Sequence, residues 1–478
     1  MVEPSTPGPG GDAPASTPEP QDDLHVSRVI LTSGVAALGG FLFGFDSSVI
    51  NGATAAIRDE FDLNSFVQGF VVAIALLGAA VGAWYAGRIA DRYGRIRVMV
   101  ITAGIFILSS VGSMLAFSWI ELAVWRLIGG AAIGSASVIA PAYIAEIAPA
   151  HLRGRLGSLQ QLAIVTGIFV ALLSDYFLAQ AAGGAGSDLW LGLEAWRWMF
   201  LAAAVPALIY GVLALQIPES PRYLVAHHRE KEARSVLKRF VGGDPDSRIR
   251  DIVRTLKGEG QVRVRDLRGP KFGLLPIVWV GILLSVFQQA VGINVIFYYS
   301  SELWQSVGFS ESDSMITSVI TSIVNIVSTL VAIALVDKVG RKPLLLFGSI
   351  GMFITLGALA ILFGTAPVVD GEPSLDGFRG VLALVAANGF VVSFATSWGP
   401  AVWVLLGEMF NNRIRATALA VAAAAQWIAN FAITTTFPSL SSVSLSLAYG
   451  LYTTFAFISI IFVWKAVTET KGRELEDM

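Results

Sequence analysis

Twelve separate runs of predominantly apolar residues constrain this chain more than anything else in it, because a bilayer core takes about 20 such residues per helix. The runs fall at 28–50, 66–87, 98–117, 120–143, 157–180, 197–217, 273–299, 313–336, 343–364, 379–407, 416–437 and 445–466. In lipid a helix satisfies its own backbone groups within one segment, so each run is predicted to span a membrane as a helix. Composition agrees: the 478 residues are 54% hydrophobic and 14% charged, against about 25% charged in an ordinary soluble chain. That deficit excludes a soluble enzyme. The net charge of −2 gives no support to nucleic-acid binding. Without cysteine there is neither a disulfide nor a thiolate metal site, and His25, His151, His227 and His228 lie in a tail or in polar loops. No metal and no cofactor is expected.

Residues 1–25 are of another kind. Pro4, Pro7, Pro9, Pro14, Pro18 and Pro20 punctuate an acidic, small-residue segment with no basic start before an apolar run. This is not the layout of a cleavable signal peptide, and it reads as a disordered tail. Orientation follows from Lys and Arg. The termini and the even-to-odd loops together hold 29 of the 33 basic residues, while the other side holds Arg58, Arg197 and Arg379, and Arg126 lies inside a span. The positive-inside rule therefore places both termini in the cytoplasm.

The chain divides at a polar stretch, 218–271, whose spaced apolar residues predict short cytoplasmic helices. On either side the same marks recur in the same order. Asp91-Arg92-Tyr93-Gly94-Arg95 follows the second span, and Asp337-Lys338-Val339-Gly340-Arg341 follows the eighth, 246 positions later. Glu146 with Arg153 closes the fourth span, as Glu408 with Arg415 closes the tenth. Pro218-Glu219-Ser220-Pro221-Arg222 ends the sixth, as Thr468-Glu469-Thr470-Lys471-Gly472 ends the twelfth. Parallel repeats of this kind belong to transporters whose halves rock about a site between them. The expected organisation is a tail at 1–25, six-helix halves at 26–217 and 272–467, the helical linker at 218–271, and a second tail at 468–478.

The apolar spans also carry amides, at Gln161, Gln288, Gln289, Asn294, Asn325, Gln426 and Asn430, and indoles at Trp403 and Trp427. An amide offers two donors and an acceptor, and a sugar hydroxyl is both donor and acceptor. Several amides can replace the water shell of a neutral polyol, while an indole covers its C–H face. The plain alternative is that each amide glues two helices by an interhelical hydrogen bond.

Over residues 28 to 472 the chain resembles the sugar porter family of the major facilitator superfamily. The resemblance is carried by the loop Gly87 to Arg97, by Pro-Glu-Ser-Pro-Arg-Tyr-Leu at 218–224, by Gln288-Gln289-Ala290-Val291-Gly292-Ile293-Asn294, and by Gly399-Pro400-Ala401-Val402-Trp403 followed by Glu408. It implies an all-α membrane fold of twelve helices in two halves, in a plasma (bacterial inner) membrane, working as a monomer. It also implies sugar contacts at Gln161, Gln288, Gln289, Asn294, Asn325, Trp403, Gln426 and Trp427, with Phe43 and Phe297 lining the same cavity. Ile168 and Phe297 follow the family's glucose carriers, where a bacterial xylose symporter has Gln at the first position, which favours a hexose.

Two charges stand out inside the spans, Asp46 in the first and Arg126 in the fourth, at similar depth from the outer ends of oppositely directed helices. A buried charge costs at least about 2.5–3.5 kcal/mol at the bilayer centre, so each needs a reason. Pairing would hold Asp46 ionised. A merely structural lock between two helices is the other reading. In the family this Asp marks proton-coupled members, and here the position holds Asp46. Two departures are on record: Ala203 stands where proton-coupled relatives can carry a Glu, and Thr468 replaces the usual Pro. The family further implies that Arg92, Arg95, Glu146, Arg153, Arg341, Glu408 and Arg415 bridge the halves when the inner side is closed.

The reading is therefore a proton-coupled sugar symporter, with a monosaccharide and a proton as its ligands and the bilayer as its surroundings. The alternative is a facilitative uniporter of the same fold. A sugar receptor would want an added signalling domain, a drug exporter fewer amides, and an anion exchanger unpaired midplane arginines. No nucleophile, base or metal set gathers to support an enzyme.

Overall fold

The computed structural model describes residues 26–148, 153–241, 244–258, 267–269, 273–369, 372–375, 377–410 and 414–470. All twelve apolar runs are helical in it, and twelve stretches are long and apolar enough to cross a membrane. The first five are α1 (Val26–Glu60), α2 (Ser65–Tyr93), α3 (Arg95–Met114), α4 (Trp119–Ile147) and α5 (Arg153–Ala182). The sixth is interrupted at Ala203 into α6 (Ala195–Ala202) and α7 (Ala204–Ala214). Between the halves lie three short helices, α8 (Pro221–Ala226), α9 (Glu230–Val236) and α10 (Pro245–Gly258), joined by a small apolar cluster of Tyr223, Leu224, Val225, Ala233, Leu237 and Ile249.

The second half begins with a broken span, α11 (Pro276–Ala290) and α12 (Ile293–Gln305), followed by α13 (Glu311–Val339) and α14 (Arg341–Gly364). Its tenth span is α15 (Gly377–Ser393), a wider π turn at Phe394–Trp398, and α16 (Gly399–Met409); α17 (Arg415–Val443) and α18 (Leu445–Ala466) complete it. The break between α11 and α12 has a local cause. Gly292 sits at φ 81° with the Tyr452 ring where a Cβ would stand, a conformation that only glycine takes at little cost. Two short hairpins, β1 (Asp188–Trp190) with β2 (Leu193–Glu194) and β3 (Val368–Val369) with β4 (Glu372–Pro373), depart from the all-α expectation.

Because successive spans alternate in direction, the bundle has a terminal end, where the described chain starts and finishes, and a far end. Several helices that start at the far end are capped by short polar side chains: Asn64 accepts the Val67 N–H at 3.0 Å, Ser118 that of Glu121 at 3.3 Å, and Ser310 that of Asp313 at 3.1 Å. At the terminal end α3 and α14 start instead from Gly94 and Gly340, and a carboxylate from another segment takes the free amides. Glu219 accepts from Arg95 N at 3.0 Å and Ile96 N at 3.3 Å, and Glu469 accepts from Arg341 N at 3.1 Å and Lys342 N at 3.0 Å.

Lipid tails are as apolar as leucine, so spans associate by close packing rather than by a hydrophobic drive. Here α2 and α4 interlock through paired glycines: a Cβ on Gly78 or Gly82 would strike the backbone at Leu127 or Ala131, and one on Gly130 or Gly134 the backbone at Ala75 or Ala79. The apolar side chains left exposed, such as Val81, Ile101, Leu108, Val212, Phe347, Ile354 and Val385, stand on these same spans, where lipid would cover them.

Candidate functional site

The bonds that join the two halves gather at the far end. Asn51 on α1 donates to the Phe297 carbonyl at 2.9 Å and to Ser300 Oγ at 3.0 Å, and accepts the Ser301 N–H at 3.1 Å. Thr54 Oγ1 reaches the Tyr298 carbonyl at 3.3 Å. Glu302, at the end of α12, takes Arg58 of α1 and both carboxylate contacts of Gln68 of α2, the shorter at 2.8 Å. Gln180 of α5 bonds Ser312, and the Ala185 N–H donates to Glu311 at 2.8 Å. The far end is shut.

At the terminal end, four of the charged side chains expected to bridge the halves, Arg95, Glu146, Arg341 and Glu408, pair within their own halves. Arg95 grips Glu146 with two bonds, at 3.0 and 2.8 Å. Arg341 grips Glu408 in the same way, at 3.1 and 2.7 Å, and the Thr470 hydroxyl braces that carboxylate at 2.6 Å. Arg92 is exposed, lying over the Tyr93 ring beside it. The side chains of Arg153 and Arg415 lie outside the described residues. Bridging was expected only for a closed inner side, so the within-half pairs fit a molecule shut at its other end.

Among the residues expected to contact sugar, three amides form a chain at the break in the seventh span. Asn294 Nδ2 donates to Gln289 Oε1 at 2.6 Å, Gln289 Nε2 to Gln288 Oε1 at 3.4 Å, and Gln288 Nε2 to the Trp398 carbonyl at 2.9 Å. Phe43 of the first half meets Trp427 of the second edge to face, with ring centroids 5.6 Å apart. Phe297 is buried, and Asn325 is buried on α13. Gln161 and Ile168 are half-buried on α5, which α1 approaches so closely that a Cβ on Gly44 would strike the Ile164 carbonyl. Gln426 is half-buried, with a buried Oε1 that has no partner among the described residues. Asn430 accepts from Thr434 at 3.1 Å, a within-helix bond. Trp403 on α16 is exposed, at 43%.

Asp46 and Arg126 do share a site, lining one small cavity with Ser47, Ile50, Val72, Ala75, Leu76, Ile133 and Tyr298. They are not in salt-bridge contact, which corrects the expected pair. Arg126 Nε donates to the Val71 carbonyl at 3.1 Å and Nη2 to that of Val72 at 3.2 Å, with the Phe200 ring 5.6 Å from its guanidinium carbon. Those carbonyls take two of its donors and leave Nη1 buried without a partner among the described residues, with Asp46 on the wall of the same cavity. Span one also continues past its expected end at residue 50 to Glu60, so Asp46 lies deeper than expected.

One buried carboxyl escaped the sequence reading altogether. Asp175 lies inside the fifth span and is 1% exposed. Its signal was in plain view, an acidic residue within an apolar run. Glu302 was missed for a different reason, since it falls just beyond the expected limit of span seven.

Comparison with known proteins places the chain. Residues 32–478 match the family described as Sugar (and other) transporter. A glucose transport protein of Synechocystis is 60% identical over 467 residues, covering 97% of this chain and 100% of that one. The D-xylose-proton symporter of Escherichia coli K12 is 37% identical over 479 residues, covering 93% and 94%. Among solved structures, the E. coli xylose transporter in a partially occluded inward-open conformation aligns with a TM-score of 0.80 at 34% identity, over 94% of this chain and 100% of that one. The proton:xylose symporter of E. coli bound to 6-bromo-6-deoxy-D-glucose aligns at 0.77 and 35% identity, over 94% and 98%.

Proposed function

The chain belongs to the sugar porter family of the major facilitator superfamily, and from that membership we propose that it carries a monosaccharide, glucose or a similar hexose, across the membrane together with a proton. The observation that carries this reading is the double engagement of α12. This one short helix holds Asn294, at the end of the amide chain, and Tyr298, which lines the cavity of Asp46 and Arg126. It also supplies the carbonyls and hydroxyl that hold Asn51 and Thr54 of the opposite half. A sugar gripped by the amides and a proton on Asp46 thus act on the same element.

The integral protein sits with its terminal end in the cytoplasm, as the distribution of Lys and Arg supports. The six-helix halves, 26–217 and 272–467, rock as two bodies about the site between them, with 218–271 as the linker on the cytoplasmic face. The described state is the inward-facing one, shut at the far end. With the far end open, the amides of α11 and α12, Gln161, Asn325 and Gln426 replace the sugar's water, and Phe43, Phe297, Trp403 and Trp427 cover its apolar face. Protonation removes the charge of Asp46, leaves Arg126 to the carbonyls of Val71 and Val72, and lets α1 close on α12. A working unit of one chain suffices, and the chemistry is transport, with no covalent step.

A facilitative uniporter is not favoured. It would have no use for a carboxylate facing a guanidinium across a cavity in the middle of a span, and the relative at 37% identity is named a proton symporter. The test is uptake of labelled sugars into proteoliposomes with and without an imposed proton gradient. Accumulation above the outside concentration only with the gradient is the expected result, and equal final levels in both would favour the uniporter.

The hexose assignment has its own measurement. Ile168 and Phe297 present apolar surface, and a lost or added apolar contact of this size is worth about 1–3 kcal/mol. Glucose should therefore displace a bound labelled sugar at about tenfold lower concentration than xylose does. Equal or better displacement by xylose overturns it.

A further inference from the structure

Behind the amide chain a second row of hydrogen bonds runs outward through the second half. Trp398 is the last residue of the π turn in the tenth span and is fully buried. Its carbonyl accepts from Gln288 Nε2 at 2.9 Å, and the Gly399 carbonyl lies 3.4 Å from the same nitrogen. Its indole Nε1 donates to the Leu345 carbonyl and to Ser349 Oγ of α14, each at 3.0 Å. Ser459 Oγ of α18 lies 2.9 Å from Ser349 Oγ and 2.7 Å from the Ala456 carbonyl of its own helix. Both serines are as buried as the indole.

The sequence lets α14 come this close, because Gly348 has no Cβ. One there would lie 1.7 Å from Ser397 Oγ and 2.9 Å from the Ser393 carbonyl, at the π turn and the end of α15. In that turn the Gly399 N–H bonds the Phe394 carbonyl five residues back, and Pro400, which follows, has no N–H to give. A backbone with a widened turn and a missing donor is held less firmly by its own ladder than a plain α-helix is. The indole anchor therefore fixes where the Trp398 carbonyl points.

The direction of the amide chain follows from that carbonyl. A backbone carbonyl only accepts, so Gln288 must turn its NH2 group toward residues 398 and 399 and its Oε1 away from them. Gln289 must then meet that oxygen with its own NH2, at 3.4 Å, and Asn294 must meet Gln289 Oε1 with its NH2, at 2.6 Å. One anchored carbonyl decides which end of each amide is left for a ligand.

We propose that Trp398 is a positioning residue for the sugar site, with Ser349 and Ser459 as its anchor. It touches no sugar, and it acts through Gln288 by holding the three amides in a single donor-to-acceptor direction. A ligand hydroxyl then meets donors and acceptors already set, which lowers the ordering cost of binding. The inference rests on the reading of these amides as sugar ligands.

Trp398→Phe keeps a ring and removes the N–H. In displacement of labelled glucose from purified protein, its affinity should be about 3- to 10-fold weaker, the effect of one lost hydrogen bond in a buried row. A double-mutant cycle separates positioning from packing. If Trp398 acts through Gln288, the same substitution in a Gln288→Ala background should change affinity by less than about twofold. Ser349→Ala, which takes one of the indole's two acceptors, stands in should Trp398→Phe not fold, with about 2- to 5-fold weakening expected and the same dependence on Gln288. Unchanged affinity in the folded variant, or equal weakening with and without Gln288, overturns the positioning role and leaves the sugar site standing. Failure of the unmodified protein to bind labelled glucose or xylose overturns the sugar reading itself, and this inference with it.

Discussion

An Asp46→Asn variant is expected to exchange sugar across a liposome membrane at close to the unmodified rate while losing accumulation altogether. The amides and indoles proposed to bind sugar do not include Asp46, which faces Arg126 and Tyr298 across a separate cavity. Asparagine keeps the shape and some hydrogen bonding but fixes the neutral state. In the unmodified protein one charge moving through about 100 mV supplies about 2.3 kcal/mol, enough for roughly 50-fold accumulation at about 1.4 kcal/mol per tenfold. The variant should show none. Counterflow and gradient-driven uptake, run in the same liposomes, separate the two activities. Full accumulation by the variant rules Asp46 out as the coupling residue, and equal loss of both activities makes Asp46 and Arg126 a helix lock.

Gln289→Ala should cost most of the sugar affinity. Gln289 is 6% exposed and sits in the middle of the amide chain, accepting from Asn294 at 2.6 Å and donating to Gln288 at 3.4 Å. Truncation removes one sugar contact and leaves a buried neighbour short of a partner, a loss of about 1–3 kcal/mol. Binding should weaken by about 5- to 150-fold. Calorimetry on protein that still elutes as a single species in detergent gives the answer. Trp403→Ala, on an exposed side chain with little packing to lose, should weaken binding with less effect on the fold. Unchanged affinity in both variants removes the site assignment.

The spans were legible because lipid makes the rule local. A run of about 20 apolar residues must close its own hydrogen bonds wherever it lies in the chain. The repeats were legible too, and in the structure they become matching contacts, Arg95 on Glu146 and Arg341 on Glu408, Glu219 and Glu469 over two helix starts. Breaks inside spans were not. Glycine is frequent in membrane helices, and nothing in the sequence distinguishes Gly292, which takes a positive φ against the Tyr452 ring, from Gly78, which lets two helices touch. Residue counts placed Asp46 and Arg126 inside their spans but gave neither the full depth of Asp46 nor the side of the helix each would use, so the carbonyls of Val71 and Val72 could not be foreseen as the partners of Arg126. Gln288 shows the same limit, since its donor is taken by the Trp398 carbonyl. Three short helices form between the halves among the described residues, whereas the two small hairpins rest on contacts too short to mark a sequence.

Glu469 sets a practical boundary for shortening the gene. It lies beyond the last span, yet it holds the first amides of α14, while Thr470 next to it braces Glu408. A truncation or a fused reporter joined at Ala466, where hydropathy alone would draw the line, would strip the second half of the collar that the first half keeps through Glu219. One half would then remain stiff at its base and the other would not. A junction placed after Thr470 keeps both collars, which makes it the shortest C-terminal boundary on which crystallisation or fluorescence fusions should be built.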